Sequence, residues 1–471
     1  MIQKSLAILF ALLIPMLTGW AGTDIAERPN ILVILLDDAG YNDFGFMGSP
    51  DLPTPNLDRL ANMGTIFTDA HVTATVCSPS RAGLMTGRYQ QRFGHECNVP
   101  PDDQGMCPKE STMGDVLRDA GYRTICIGKW HLGNRTMYHP NNRGFDEFWG
   151  FLEGARSYFP DTKVDKPDNY RAILHNRKQV DFEGYLTDVF TDKAMEYIDS
   201  TGEQPWFICL SYNAPHTPMH AKAEHLEKFA GHPRQVLAAM TWSVDENVGK
   251  LVQKLESEGT LENTLIFFLS DNGGAGAHNN QSSNAPLKGW KGNKYEGGHR
   301  VPYFVTWKGT LPSGKRNDGL TSALDIMATS VAASGLPKTT GKPLDGVNLI
   351  PHLLGSDDSP PHEVLFWRKD KMAAMRHGPY KLVRLEGYGY RIYNLDIDLS
   401  ESVDLRESEP EQFSRMKEAL INWDREQALP AWYEDEDWNS VTYEIHRALM
   451  DNEKPRYMNP GQKEAYLSKE K

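Results

Sequence analysis

The sequence predicts an α/β sandwich, a large mainly parallel mixed sheet flanked by helices, with a smaller C-terminal subdomain made of a short antiparallel sheet and a helix. Three observations carry this. First, five apolar runs, Asn30–Leu36, Thr124–Ile127, Trp206–Tyr212, Thr264–Ser270 and Val301–Trp307, have the unbroken apolarity of strands buried on both faces. Second, helical segments stand between them at Asn56–Met63, Ser111–Ala120, Thr187–Ser200 and Gln235–Ser257, the alternation that builds parallel sheets. Third, beyond Pro360-Pro361 the elements shorten. Val364–Arg368, Met372–Arg376, Tyr380–Arg384 and Tyr390–Asn394 are spaced as antiparallel strands, and Glu411–Gln427 follows as an amphipathic helix. This divides the chain into a main domain over residues 23–361 and a subdomain over 362–471. The run Glu434–Asp437 reads as an acidic surface segment and Asn452–Lys471 as a polar tail, neither with chemistry of its own.

The termini and composition set bounds. Residues 1–22 read as a secretory signal: Lys4 gives the positive start, Leu6 to Leu17 the apolar stretch, and Gly19-Trp20-Ala21 a small-x-small cleavage site. The stretch is short and interrupted by Pro15, so stable membrane insertion is not expected. The expected location is periplasmic or secreted. A chain of 471 residues accommodates two folded units, and 39% hydrophobic with 24% charged residues is ordinary globular composition. Five cysteines are too few to hold an exported protein together. Cys97 and Cys107 bracket a short loop and are spaced to close a local disulfide, whereas Cys126 and Cys209 sit in strand-like runs as buried thiols. No C-x-x-C pair occurs, which disfavours a zinc site. A net charge of −13 argues against nucleic acid as partner.

The chemistry concentrates in a few motifs. Asp37-Asp38 and Asp271-Asn272 each end an apolar run, and chemistry in open α/β sheets gathers beyond the carboxyl ends of strands. Three carboxylates and an amide oxygen make a hard, all-oxygen site suited to calcium or magnesium. Cys77-Ser-Pro-Ser-Arg81 leads through Ala-Gly-Leu-Met-Thr to Gly87-Arg88, read as an exposed turn entering a short helix with Gly87 near its end. Gly128-Lys129-Trp130-His131-Leu132-Gly133 follows a third apolar run, and Asn213-Ala-Pro-His216-Thr-Pro218 a fourth. Lys288-Gly-Trp-Lys291-Gly292 precedes Tyr295-Glu-Gly-Gly-His-Arg300-Val-Pro302.

Cys77-x-Pro-Ser-Arg81 with its Thr-Gly-Arg tail resembles the signature of the type I sulfatases, members of the alkaline-phosphatase-like superfamily. The other motifs match that family's pattern in order over residues 30–302. The resemblance implies a sulfatase acting on sulfate esters of a carbohydrate, with an alkaline-phosphatase-like fold. It implies that a formylglycine-generating enzyme converts Cys77 to an aldehyde whose hydrate supplies the attacking oxygen. One calcium ion, or magnesium, would be held by Asp37, Asp38, Asp271, Asn272 and the converted Cys77. Arg81 and Lys129 would stabilise sulfate charge, His216 with Lys291 would protonate the leaving oxygen, and His131 would take the proton that lets the aldehyde reform. Asn142 and Arg143, in Pro140–Asp146, and Arg300 are candidate sugar contacts, and Trp130, Trp149, Trp290, Tyr158 and Phe159 candidate stacking platforms. Two alternatives stand beside this reading: a phosphoester or phosphonate hydrolase of the same superfamily, and a catalytically silent secreted glycan-binding homologue.

Overall fold

A computed structural model describes residues 28–101, 103–276, 280–336 and 342–469. The expected signal segment, residues 1–22, lies outside the described residues. The strands of the main sheet, in chain order, are β1 (Asn30–Leu36), β2 (Thr65–Phe67), β3 (Arg123–Lys129), β4 (Glu147–Phe151), β5 (Leu174–His175), β6 (Lys178–Gln179), β7 (Trp206–Ser211), β8 (Thr264–Ser270), β9 (Tyr303–Thr306) and β10 (Lys315–Asn317). Across the sheet they run β10-β2-β9-β8-β1-β7-β3-β4-β5-β6. The centre, β8-β1-β7-β3-β4, is parallel, while β9 runs antiparallel to both β8 and β2.

Why β1 reads as an unbroken apolar run is clear from its two faces. Leu32, Ile34 and Leu36 enter one hydrophobic core and Ile31, Val33 and Leu35 the other. The first core is covered by α2 (Leu186–Thr201) and α3 (Gln235–Ser257), which contribute Phe190, Met240, Val248 and Leu251. The second is covered in part by α1 (Cys77–Thr86) through Ala82, Leu84 and Met85. Each large apolar side chain fully buried this way stabilises the fold by about 1.5–3 kcal/mol.

The C-terminal subdomain is a four-stranded antiparallel sheet, β11 (Val364–Lys369), β12 (Met372–His377), β13 (Tyr380–Leu385) and β14 (Gly389–Asn394), in that order. Helix α4 (Pro410–Arg425) packs Met416, Leu420 and Trp423 on one face of it. A further helix, α5 (Glu436–Met450), puts Val441, Ile445 and Leu449 on the other.

The subdomain is locked to the main domain by a buried cluster of charge. Arg376 and Lys381 reach in from the small sheet to Glu296, at 2.9 and 2.7 Å, and Arg376 also pairs with Asp69 at 3.0 Å. His71 and His299 face each other, Nδ1 to Nδ1, at 2.9 Å; the remaining nitrogen of His71 meets Asp69 and that of His299 meets Lys381. Trp367 stacks on His299 with ring centroids 3.9 Å apart and donates its indole N–H to Val72. Although His71, Glu296 and His299 cluster as metal ligands would, every one of their acceptor atoms already meets a neighbouring side chain.

Candidate active site

The parallel register brings the motifs together. Leu36 of β1 lies level with Ser270 of β8, Leu35 with Ser211 of β7, and Ser211 with Gly128 of β3. The segments that leave those four strand ends, Asp37-Asp38, Asp271-Asn272, Asn213–His216 and Lys129–His131, therefore emerge at one edge. Hydrogen bonds tie the exits, Asp37 N–H donating to Ala214 at 3.0 Å and Asp271 N–H to Leu36 at 2.9 Å. Asp38 and His131 both adopt positive φ, 66° and 59°, which swings their side chains out of strand geometry.

Cys77 is the first residue of α1, and all ten residues of that helix are buried. This corrects the expectation of an exposed turn. The polar residues that suggested exposure are spent inside: Ser78 donates to the His131 carbonyl at 2.6 Å, and Asn98 accepts the Ser78 N–H at 3.0 Å. Arg81 pairs with Asp271 at 2.8 Å and donates to the Lys129 carbonyl and Ser211 Oγ. Gly87 closes the helix in the left-handed conformation, φ 61°, as the sequence indicated.

Around Cys77 the charges alternate. Its Sγ lies 3.5 Å from Asp37 Oδ1; Lys129 Nζ is 2.6 Å from Asp37 Oδ2, and Lys291 Nζ 2.7 Å from Asp38 Oδ1. His216 Nε2 stands 3.6 Å from Asp38 Oδ2, while its Nδ1 is fixed by the Thr217 carbonyl at 2.5 Å. Of the three neighbouring lysines only Lys291 reaches the site. Lys288 binds the Glu401 carbonyl and Asn452, and Lys294 donates to Thr75.

Burial alone would raise the Asp37 carboxyl, but His216, Lys129 and Arg81 hold it well below the usual carboxylate range. Asp38 is lowered against its burial by Lys291 and His216. Asp271 goes the other way, pushed up to about 6 by burial and by the Asp37 charge. Burial and Asp271 push the Cys77 thiol up to about 12, so unmodified Cys77 is a neutral thiol and a poor nucleophile at neutral pH. Burial and Lys129 drive His131 well below its ordinary value; His216 is lowered by burial but drawn back by Asp37 and Asp38. The two histidines are thus separated electrically, one held neutral and one beside carboxylates.

The donor set fits a hard divalent cation. Asn272 donates through Nδ2 to Asp38 at 2.7 Å, leaving its Oδ1 buried without a hydrogen-bond partner, and Asp271 Oδ1 accepts only a long 3.4 Å contact from the Asp38 N–H. Oxygens from Asp37, Asp38, Asp271 and Asn272 are the ligands calcium or magnesium favours. Asp37, Asp38, Cys77 and His216 also bring ligand atoms within 4.8 Å of one another, a mixed set that a softer metal would prefer. Further buried atoms lack partners here, Arg81 Nη2, His131 Nδ1 and Asn213 Oδ1 among them.

Two cleft lobes open from the site. A smaller lobe of about 260 Å³ is lined by Cys77, His131, Asn134, Glu153, Arg171 and His216. A larger one of about 650 Å³ begins at Asp38, His216 and Lys291 and runs outward past Trp290 to Tyr433, Trp438 and Met458. Residues Asn98–Pro100 and His216 line both.

Several expectations are corrected. The Arg143 guanidinium is buried and donates to the carbonyls of Met106, Cys107 and Glu110. Asn142 is held by Thr136 and Arg177, and Arg300 by Thr68, Asp69 and Glu296; none of the three lines either lobe. Among the aromatic candidates Trp290 alone lines a lobe: Trp130 and Trp149 are core, Tyr158 donates to the Asn213 and His216 carbonyls, and Phe159 packs on Tyr185. Cys97 and Cys107 are free thiols. The acidic run taken for inert surface is cleft wall, with Glu434 and Asp435 lining the larger lobe and Glu434 paired to Lys369. The polar tail carries a helix, Pro460–Lys469. The aromatic residues flanking that run, Trp432, Tyr433 and Trp438, were the signal available in the sequence.

Fold and site define a sulfuric ester hydrolase of the alkaline-phosphatase-like class. The family model "Sulfatase" matches residues 29–336, and the chain belongs to that family. It is 33% identical to the N-acetylgalactosamine-6-sulfatase of Canis lupus familiaris over 393 residues, 79% of this chain and 74% of the relative. The crystal structure of Ps i-CgsB superposes with a TM-score of 0.83 at 35% identity, covering 90% of this chain and 99% of that one. The same protein in complex with k-i-k-neocarrahexaose gives 0.82 over the same shares. Among the described residues, no helix is long and apolar enough to cross a membrane.

Proposed function

We propose that this protein is an exported sulfatase that removes sulfate from a carbohydrate, using formylglycine derived from Cys77 and one calcium or magnesium ion. The observation that carries the reading is that Cys77, His131 and His216 converge on one cleft lobe while Arg81, Lys129 and Lys291 crowd the carboxylates behind it. The sugar substrate is supported by the names of the relatives, one an N-acetylgalactosamine-6-sulfatase and one solved with a neocarrahexaose. Export rests on the signal-like residues 1–22.

Asp37, Asp38, Asp271 and Asn272 would hold the cation, which supplies charge withdrawal from the sulfate oxygens. Formylglycine supplies, as its hydrate, the attacking oxygen and a second hydroxyl that allows release. Lys129 and Lys291, beside those carboxylates, would bind the sulfate anion, joined by Arg81 through its unpartnered Nη2. His216, whose Nδ1–H is held by the Thr217 carbonyl, would act as an imidazolium, the form that Asp37 and Asp38 favour, and give its Nε2 proton to the departing sugar oxygen. His131, held neutral, accepts the proton given up when sulfate leaves. Lys129 and His131, set beside one oxygen-rich cation site, favour this reading over the phosphoester and phosphonate alternative.

The test is sulfate release from a panel of sulfated oligosaccharides, with elemental analysis of the same preparation. Turnover of at least one sugar sulfate, with calcium or magnesium at one ion per chain, is the expected result. Stoichiometric zinc with phosphoester turnover and no sulfate release would contradict it.

A further inference from the structure

The larger lobe continues well beyond the reacting centre, and its outer half belongs to the C-terminal subdomain. Trp290 leads from Lys291 toward Tyr433, Trp438, Ile445 and Met458, so aromatic and aliphatic side chains share the wall with Lys369, Glu434 and Asp435. Tyr433 and Trp438 are 59% and 38% exposed, so both rings are open to a ligand in the lobe. At about 650 Å³ the lobe falls in the range of ligand clefts and exceeds what one sugar ring requires.

The electrostatics of the wall narrow the occupant. Of its two lysines, Lys369 in the outer half is matched by Glu434, and Lys291, beside Asp38, belongs to the inner end where the sulfate would bind. Asp435 caps α5, accepting the N–H groups of Asp437 and Trp438, and Glu436 and Asp437 add further negative charge in the first turn. An anion placed in the outer half meets carboxylates with no unmatched lysine or arginine among its lining residues.

We propose that the outer half of this lobe is a subsite for an uncharged sugar residue joined to the sulfated one. The aromatic rings stack on the apolar face of that sugar. The substrate is then an oligosaccharide or polysaccharide in which the sulfated residue neighbours a neutral sugar, and a uronate or a second sulfate at that position is rejected. This rests on the reading of the substrate as a carbohydrate sulfate.

The experiment compares kcat/KM of the fully converted enzyme on three probes: a sulfated galactose, a trisaccharide placing the same residue next to neutral galactose, and one placing it next to glucuronate. The neutral trisaccharide should exceed the monosaccharide by about tenfold, the effect of one good aromatic anchor. The combined variant Tyr433→Ala, Trp438→Ala should erase most of that ratio, chiefly through KM. Both residues are exposed, so the variant should fold, which circular dichroism checks. Glu434→Gln unmatches Lys369 and should narrow the gap between the glucuronate and neutral trisaccharides. A length ratio unchanged in the double variant, or a glucuronate trisaccharide equal to or better than the neutral one, overturns the subsite. If the parent enzyme cleaves an aryl sulfate but none of the three sugars, the carbohydrate reading itself fails, and that is seen before any variant is made.

Discussion

Two of the molecule's buried clusters of charge are finished differently. At the joint between the domains, Asp69, His71, Glu296, His299, Arg376 and Lys381 close on one another: both carboxylates and all four imidazole nitrogens have partners, and the unpartnered Arg376 Nε is sealed inside rather than turned to a cleft. At the sheet edge, Asp37, Asp38, Asp271, Arg81, Lys129 and Lys291 also pair. There, however, the histidines face a cleft, and Arg81 Nη2, His131 Nδ1 and Asn272 Oδ1 remain without partners. A closed cluster has only its own geometry to maintain. An open one holds bonding capacity in reserve for something that arrives. Both contain groups with strongly displaced pKa values, so displacement alone does not separate function from architecture. Unsatisfied atoms at a cleft do.

Cuts in the two clusters should therefore fail in different ways. In the open cluster, His216→Ala should lower turnover of sugar sulfates by about 10²–10⁴-fold, the usual worth of a general acid. Activated aryl sulfates, whose phenolates leave without a proton, should fall much less while the unfolding midpoint barely moves. Equal losses on both substrate types would make His216 a sulfate-positioning residue and pass the acid role to Lys291.

In the closed cluster, Glu296→Gln leaves Lys381 and Arg376 short of a buried counter-charge. It should destabilise the protein by about 3–5 kcal/mol, read by urea unfolding, since breaking a buried pair from one side strands the other charge. A change below about 1 kcal/mol would show that the interdomain cluster is not what joins the two parts.

The smallest effect is expected at the edge of that joint. His362 lies 2.7 Å from Asp325; burial pulls its pKa down, but the carboxylate outweighs this and raises it above the ordinary 6.5. A raised histidine contributes stability that is fully present below pH 6.5 and is lost as pH climbs through the folded-state value. The unfolding midpoint of the parent should fall more between pH 6 and 8 than that of His362→Gln; parallel curves would contradict the pairing.

How much of this the sequence disclosed depended on the range of the interaction. Strands such as Thr264–Ser270 and the helix Gln235–Ser257 emerge with the same bounds in both readings, because burial on both faces and helical periodicity are written locally. The motif residues at strand ends were legible because parallel register makes strand ends converge. The burial of Cys77 was not, since Ser78 and Arg81 look solvent-seeking until their partners, His131 and Asp271, arrive from distant strands. For the same reason Arg143 and Arg300 resembled ligand-binding cations although each is consumed by nearby carbonyls or carboxylates. The cleft wall at Tyr433–Trp438 was hidden most completely, because only the docking of the subdomain carries it to Trp290.

The central claim is that Cys77 acts as formylglycine and not as a thiol. Preparations with graded conversion, obtained by varying co-expression of a formylglycine-generating enzyme, can be measured by the mass of the peptide containing Cys77 and by sulfate release from a sugar sulfate. Release should rise in proportion to the converted fraction and vanish in Cys77→Ala, with the folded state retained. Sulfate release at an undiminished rate from fully unconverted protein, or from Cys77→Ala within tenfold of the parent, would contradict it.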